Sequence, residues 1–175
     1  NLYEFNGDDN VRINPIDARK DYILELEKNI LLVSSGRRTN SSGEIHKESE
    51  KNLSDNNEKI INMHEIKDIA SEIEFNLRRG NLKKFGKLIF DSWEKKKKFN
   101  PSATNPYIDA LIEEAMANGA IGARLMGAGG GGHLLIYCEP DREHRIKETL
   151  VERGATPIDF SFDFEGLRLW EVEEH

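Results

Sequence analysis

A run of five glycines within six residues constrains this chain more than any other segment of its sequence. The run comprises Gly127, Ala128, Gly129, Gly130, Gly131 and Gly132. A glycine inside a regular strand or helix costs about 0.5–1 kcal/mol relative to alanine, so glycines concentrate where the backbone takes positive φ or approaches another group closely. Successive amide N–H groups in such a loop can converge on an anion, because no side chain blocks them. The run therefore predicts a loop that lies close to phosphate.

Three known glycine patterns compete for this run. Gly127, Gly129 and Gly132 satisfy the dinucleotide-binding spacing, but that motif must open a helix. Here the apolar run Leu134–Cys138 follows and indicates a strand. The P-loop is excluded because no Gly-Lys-Ser/Thr ends the run. The protein-kinase loop also lies between strands, but no Val-Ala-Ile-Lys, His-Arg-Asp or Asp-Phe-Gly segment follows it.

Alternation of apolar and polar residues predicts strands in several parts of the chain. Residues 2–13 alternate around a polar turn and predict a β-hairpin. Residues 30–33 form a compact apolar strand, and 120–126 and 133–138 flank the glycine run as two further strands. Residues 156–172 alternate again, which predicts a terminal hairpin that turns at Glu165-Gly166.

Apolar residues at three- and four-residue spacing predict helices between these strands. Asp17 and Asn105 are the predicted N-caps of two of them. The predicted helical ranges are 17–28, 58–79, 82–97, 106–119 and 141–153, with a short exposed helix at 42–51. Lys95 to Lys98 are expected to form a solvated face at a helix end. Helices clustered beside a mainly antiparallel sheet make an α+β domain.

Composition excludes several classes of function. The formal net charge of −7 disfavours nucleic-acid binding, and no apolar run approaches the roughly 20 residues that a bilayer requires. Cys138 is the single cysteine and is expected to be a reduced core thiol in a cytoplasmic protein. His46, His64 and His144 have no metal-ligand spacing, so no metal site is predicted. The chain does not begin with Met, and we expect it to be cut from a larger protein.

The glycine run and its flanks resemble one family of small-molecule kinases. Gly119 to Gly132 is similar to the third conserved motif of galactokinase, homoserine kinase, mevalonate kinase and phosphomevalonate kinase, the GHMP kinases. In that family the motif follows a helix and precedes a core strand, as it does here. Phe85–Leu88, Trp93–Lys97, Asn105–Asp109 and Ser35–Ile45 further resemble segments of the bacterial D-glycero-D-manno-heptose 7-phosphate kinases.

The resemblance covers nearly the whole chain and implies its fold. That fold is the C-terminal lobe of a GHMP kinase, a ferredoxin-like antiparallel sheet with helices packed on one side. Residues 1–35 are expected to hold strands carried over from the end of the N-terminal lobe, together with the first core strand. Residues 36–175 are expected to be the C-terminal domain. The N-terminal lobe carries a Pro-x-x-x-Gly-Leu-x-Ser-Ser-Ala phosphate loop that this sequence lacks, and it is the expected partner of the chain.

The resemblance also implies an activity, ATP-dependent transfer of the γ-phosphate to a sugar hydroxyl. The first expectation is conversion of D-glycero-D-manno-heptose 7-phosphate to the 1,7-bisphosphate. A galactokinase- or fucokinase-like specificity stays open, as does a non-catalytic ferredoxin-like module for ligand binding or assembly. ATP and Mg²⁺ are the implied cofactors, bound mainly through the N-terminal lobe. The catalytic base and the Mg²⁺ ligand are expected outside this chain, so these residues alone are expected to be inactive.

Candidate site residues follow from the glycine loop and the resemblance. The loop 127–132 is expected near the phosphates of ATP, where backbone amides can stabilise charge in transit. Arg124, three residues before the loop, is a candidate contact to a phosphate. Arg37 and Arg38 lie in a polar loop after a buried strand, a common place for ligand contacts. For all three arginines, a plain surface charge is the competing interpretation.

The expected partners are a sugar phosphate, ATP and the N-terminal lobe. Nucleic acid and membranes are not expected to bind, the expected location is the cytoplasm, and homodimer formation is left open. A lobe separated from its partner is expected to expose an apolar patch near Leu2, Phe5 and the 121–126 strand, larger than a typical monomer shows.

Overall fold

The structure is a computed structural model that describes residues 1–7, 10–36, 42–55 and 57–170. The strands are β1 Leu2–Asn6, β2 Asn10–Asn14, β3 Ile30–Ser34, β4 Ala120–Leu125, β5 His133–Cys138 and β6 Thr156–Ile158. The helices are α1 Lys20–Asn29, α2 Ser42–Asp55, α3 Asn57–Arg78, α4 Leu82–Phe99, α5 Pro106–Ala117 and α6 Glu143–Glu152. A 3₁₀ turn, Pro101–Ala103, joins α4 to α5.

Four strands form the central sheet, in the order β4-β5-β3-β6. β5 pairs antiparallel with both β3 and β4, and β3 pairs antiparallel with β6. Helices connect β3 to β4 and β5 to β6, while the glycine run connects β4 to β5. This is the ferredoxin-like β-α-β-β-α-β arrangement. The predicted α+β class and antiparallel ferredoxin-like sheet are therefore confirmed.

The main core lies on the side of the sheet that faces α5 and α6. Alternate residues of β5 point to this side, because successive side chains of a strand face opposite ways, and Leu134, Ile136 and Cys138 are fully buried there. The helices contribute Ile108, Leu111, Ile112, Ala115, Ile146 and Leu150. Burial raises the pKa of the Cys138 thiol to about 12, as suits a core thiol.

The opposite side of the sheet is also covered, by a second apolar cluster. Tyr137 of β5 and Phe85 of α4 belong to this cluster, and their rings meet edge to face with centroids 5.6 Å apart. Backbone contact brings α4 close to β4, since a Cβ on Gly122 would lie 1.8 Å from the carbonyl oxygen of Gly86. The sequence predicted helices on one side of the sheet; in the structure α4 also packs apolar side chains against the other side.

The predicted N-terminal hairpin is confirmed, with β1 and β2 paired antiparallel. Tyr3 lies opposite Ile13 and Phe5 lies opposite Val11. These four side chains share one face of the hairpin and are 50%, 55%, 80% and 45% exposed, respectively. An apolar face of two cross-strand pairs is thus open to solvent.

One predicted helix cap is confirmed and the other is wrong. The side-chain oxygen of Asn105 accepts the amide of Ile108 at 3.0 Å and caps α5. Asp17 does not cap α1, because that helix begins at Lys20 and its N-cap position, Arg19, makes no side-chain capping bond. The chain before Lys20 stays extended, with Arg19 at φ −59° and ψ 145°.

The predicted terminal hairpin is wrong over the described residues 159–170. The described residues 159–170 form no strand; β6, just before them, pairs with β3. Beyond β6, the amide of Phe162 donates to the carboxylate of Glu27 on α1 at 2.8 Å, so a helix side chain takes the place of a neighbouring strand. The ring of Phe162 packs against the second cluster.

Candidate functional site

The glycine run forms the loop between β4 and β5, and its backbone conformation requires glycine. The φ angles are 74° at Gly127, 124° at Gly129, 72° at Gly130, 139° at Gly131 and 116° at Gly132. Residues with a side chain rarely adopt such values. A Cβ on Gly129 would also lie 2.6 Å from the Cα of Ala103. The glycines therefore let the loop fold tightly against the 3₁₀ turn.

Part of the loop backbone is used inside the protein. The amide of Gly130 donates to the carbonyl of Ala103 at 2.8 Å. Ser35 holds Gly132 in two directions: its hydroxyl accepts the Gly132 amide at 3.1 Å, and its own amide donates to the Gly132 carbonyl at 2.8 Å. No hydrogen bond among the described residues uses the other amides of the run. Those remaining amides are the ones available to an anion.

Arg124 lies on β4 below the loop and points towards α4. Its Nη1 donates to the hydroxyl of Ser92 at 2.9 Å, and its Nε is buried without a hydrogen-bond partner in the described structure. Burial lowers the pKa of the guanidinium, because desolvation disfavours its charged form. The structure thus places this predicted residue against α4, three residues before the loop, and half-buried rather than as a surface charge.

Lys96 on α4 is a site residue that the sequence did not reveal. Its ammonium donates to the carbonyl of Gly127. Burial, and next the charge of Arg124, lower the pKa of this lysine to about 8. The prediction that Lys95 to Lys98 form a solvated face is therefore wrong at Lys96, whose side chain is partly buried and contacts the glycine loop.

The lysines on either side of Lys96 are paired with carboxylates. Lys95 forms an ion pair with Glu65 of α3. Lys97 lies 2.7 Å from the carboxylate of Glu94 and 3.7 Å from that of Asp109. The four consecutive lysines look alike in sequence, and the structure gives Lys95, Lys96 and Lys97 different partners.

The other predicted features divide between the described and the undescribed parts of the chain. Arg37 and Arg38 lie outside the described residues. Within the described ranges, no three or more His, Cys, Asp or Glu side chains come together in a way that would hold a metal ion. No described helix is both long enough and apolar enough to cross a bilayer.

Comparison with known proteins identifies the class of domain. Residues 73–156 match the family model described as GHMP kinases C terminal. The match runs from α3 to β6 and includes the glycine loop, Lys96 and Arg124. The resemblance seen in the sequence is thereby confirmed: residues 73–156 are similar to the C-terminal domain of GHMP kinases.

Two relatives that match this chain are bacterial proteins. The chain is 27% identical over 173 residues to D-glycero-alpha-D-manno-heptose 7-phosphate kinase of Campylobacter jejuni. The aligned region covers 98% of this chain and 50% of that protein. It is 30% identical over 96 residues to L-fucokinase/L-fucose-1-P guanylyltransferase of Bacteroides fragilis, which covers 54% of this chain and 10% of that protein.

A solved structure shows the same fold. A provisionally assigned sugar kinase of Campylobacter jejuni superimposes with a TM-score of 0.68 at 24% identity, covering 97% of this chain and 47% of that one. The chain thus spans about half the length of the heptose-phosphate kinase and of this solved structure.

Proposed function

We propose that this chain is the C-terminal part of an ATP-dependent sugar kinase. The kinase transfers the γ-phosphate of ATP to a hydroxyl of D-glycero-D-manno-heptose 7-phosphate and forms the 1,7-bisphosphate. The observation that carries this proposal is the match to the Campylobacter heptose 7-phosphate kinase, which extends over 98% of the chain. The GHMP domain and its glycine loop support the same class of reaction.

The proposed kinase divides this chain into two parts. Residues 1–35 comprise strands that continue from the N-terminal lobe, plus β3 as the first core strand, and residues 36–175 form the C-terminal domain. The open apolar face of the β1–β2 hairpin supports a covering lobe, since isolated two-stranded hairpins are marginal in water and exposed apolar patches mark interaction sites. The patch expected along 121–126 is absent, because Met126 is the one clearly exposed side chain of that segment.

Phosphoryl transfer depends on positioning and on neutralising charge. In the proposed kinase, the amides of the glycine loop and the guanidinium of Arg124 face the phosphates of ATP. Arg37 and Arg38 contact the phosphate of the sugar substrate. We assign the ligands of Mg²⁺, and the catalytic base, to the N-terminal lobe outside this chain, as the family resemblance implies. The kinase is assigned to the cytoplasm.

A fucokinase-like activity is the second candidate, because the Bacteroides relative that matches 54% of this chain is a fucokinase by name. A galactokinase-like enzyme and a non-catalytic ligand-binding module are further alternatives, since one fold hosts many functions. The two kinase alternatives would use ATP to phosphorylate fucose or galactose, whereas the binding module would bind a ligand without transferring phosphate.

ADP release from MgATP tests the proposal. The full-length protein is assayed with heptose 7-phosphate, galactose, fucose and mevalonate, and the 175-residue chain is assayed in parallel. We expect turnover with heptose 7-phosphate by the full-length protein and none by the shorter chain. Turnover with fucose or galactose instead would establish the corresponding alternative. If no substrate stimulates ADP release, the kinase assignment fails for this panel and the binding module is favoured.

A further inference from the structure

Two cations lie on the same face of α4 beside the glycine loop, because Arg124 bonds Ser92 and Lys96 follows Ser92 by one helical turn. The ammonium of Lys96 donates to the Gly127 carbonyl, and the guanidinium of Arg124 donates to the Ser92 hydroxyl at 2.9 Å. In the part of the chain that the structure describes, neither cation forms an ion pair. Both side chains are half-buried, so they repel each other in a partly desolvated setting.

The acidic side chains nearby are already engaged. Glu65 pairs with Lys95, and Glu94 and Asp109 pair with Lys97. These carboxylates pair with the neighbouring lysines, whereas Lys96 has a carbonyl as its partner. The positive charge under the loop is therefore uncompensated by the described protein.

Unused hydrogen-bond donors accompany this charge. Lys96 uses one of three N–H donors on Gly127. Arg124 uses one of five, and its buried Nε has no partner. A buried donor without a partner costs free energy, more so on a charged group. An anion placed here would satisfy these donors and cancel the repulsion between the two side chains.

We propose that Lys96 and Arg124 together form a binding site for one phosphate group at the foot of the glycine loop. The site lies beside the unused loop amides, which offer further donors to the same anion. Arg124 supplies a planar fork of donors and Lys96 a compact charge, two modes of phosphate recognition that complement each other. Lys96 is the new member of the site, and its assignment deepens the proposed kinase function, on which it rests for the role of the phosphate.

The phosphate belongs either to a nucleotide or to a sugar phosphate, and both present the same dianionic oxygens. Binding to either is independent of whether transfer follows. For that reason the test measures binding at Lys96 itself and not turnover.

Lysine side chains labelled with ¹³C at Cε report on this site by NMR in the full-length protein and in the 175-residue chain. Lys96→Gln assigns the Lys96 signal by its loss. Inorganic tripolyphosphate is the first probe, and we expect the pH midpoint of the Lys96 signal to rise by at least about one unit at saturation, since an adjacent anion favours the charged form. Arg124→Gln is expected to weaken tripolyphosphate binding about tenfold or more, as loss of a charged hydrogen bond does.

Two variants control for folding and for general charge. Arg124→Lys keeps the positive charge and is expected to restore binding to within a fewfold of wild type. Lys95→Gln removes a lysine whose charge is already paired with Glu65, so it is expected to leave the tripolyphosphate affinity within about twofold.

ATP and glucose 6-phosphate as competitors identify the source of the phosphate. Displacement of tripolyphosphate from Lys96 by ATP assigns the site to the nucleotide, and displacement by glucose 6-phosphate assigns it to a sugar phosphate. The proposal is overturned if none of the three probes moves the Lys96 signal, or if Arg124→Gln binds as tightly as wild type. A failed ADP-release assay leaves these results standing, so the two proposals fail separately.

Discussion

Lys96 has a pKa of about 8 in the folded chain, because burial and the neighbouring Arg124 disfavour its charged form. In the unfolded chain its pKa is about 10.4. Between these values the unfolded state binds more protons, so the contribution of Lys96 to stability rises with pH across this window. We expect Lys96→Gln to stabilise the chain by about 1 kcal/mol below pH 8, a figure reduced for solvent screening, and to lose this advantage towards pH 10.

Urea unfolding at pH 7 and pH 9.5 measures this difference between variant and wild type. Other groups that titrate in the window, such as the thiol of Cys138, cancel in the comparison. Lys95→Gln serves as the control, because Lys95 is paired with Glu65. A Lys96→Gln difference that stays constant across the two pH values would show that this lysine is well solvated.

Residues differ in how far the sequence predicts their roles. The conformation of the glycine run is predictable, because positive φ is a local demand that selects glycine. The role of Lys96 depends on tertiary contacts and is hidden among four equal lysines. A signal did exist: Lys96 follows the buried Trp93 by three residues and the buried Ser92 by four, so helical spacing places it on the inner face of α4.

The contact between α4 and β4 depends on two glycines that let the elements approach. A Cβ at Gly122 would lie 1.8 Å from a backbone oxygen of α4, whereas a Cβ at Gly86 would meet the side chains of Tyr137 and Ile121 at 2.6 Å and 2.8 Å. We expect Gly122→Ala to lower the free energy of unfolding by about 3 kcal/mol, since backbone cannot yield as side chains do.

Gly86→Ala is the matched comparison on the helix. Its steric cost is partly offset by the helix propensity of alanine, about 1 kcal/mol better than that of glycine, so we expect a net loss of about 1 kcal/mol or less. Chemical denaturation of both variants gives the values. If Gly86→Ala proves the more damaging, the separation of α4 from β4 is set by Tyr137 and Ile121 rather than by the backbone.

Whole elements were largely predictable, and the failures have physical causes. Helix spacing and apolar alternation located the sheet and the helices because those patterns report burial directly. The alternation of 159–170 was misleading, because only Phe160 and Phe162 pack against the second cluster, whereas Phe164, Leu167, Leu169 and Trp170 are 73–88% exposed. Alternation shows which side chains share a face, but burial of that face depends on a covering element that the local sequence does not specify.

At the scale of the whole molecule, the apolar face of the β1–β2 hairpin is expected to distinguish this chain from the longer protein proposed to contain it. The face is exposed in this chain and is expected to be covered in the longer protein. Phe5 is 80% exposed here, so Phe5→Ser is expected to change the stability of the 175-residue chain by no more than about 0.5 kcal/mol. In the full-length protein a covering lobe would bury the ring, and the same substitution is expected to cost about 3 kcal/mol, as a large-to-small change in a core does.

Urea unfolding of both lengths, with and without the substitution, measures this difference in cost. Arg12 lies on the polar face of the same hairpin, opposite Glu4 on the neighbouring strand. Arg12→Gln is therefore expected to leave the free energy of unfolding unchanged at both lengths. A large cost of Phe5→Ser only in the full-length protein would establish that the hairpin belongs to the junction between two lobes. Equal, small costs at both lengths would mean that the rest of the protein leaves this face uncovered, and the boundary proposed at residue 35 would lose its support.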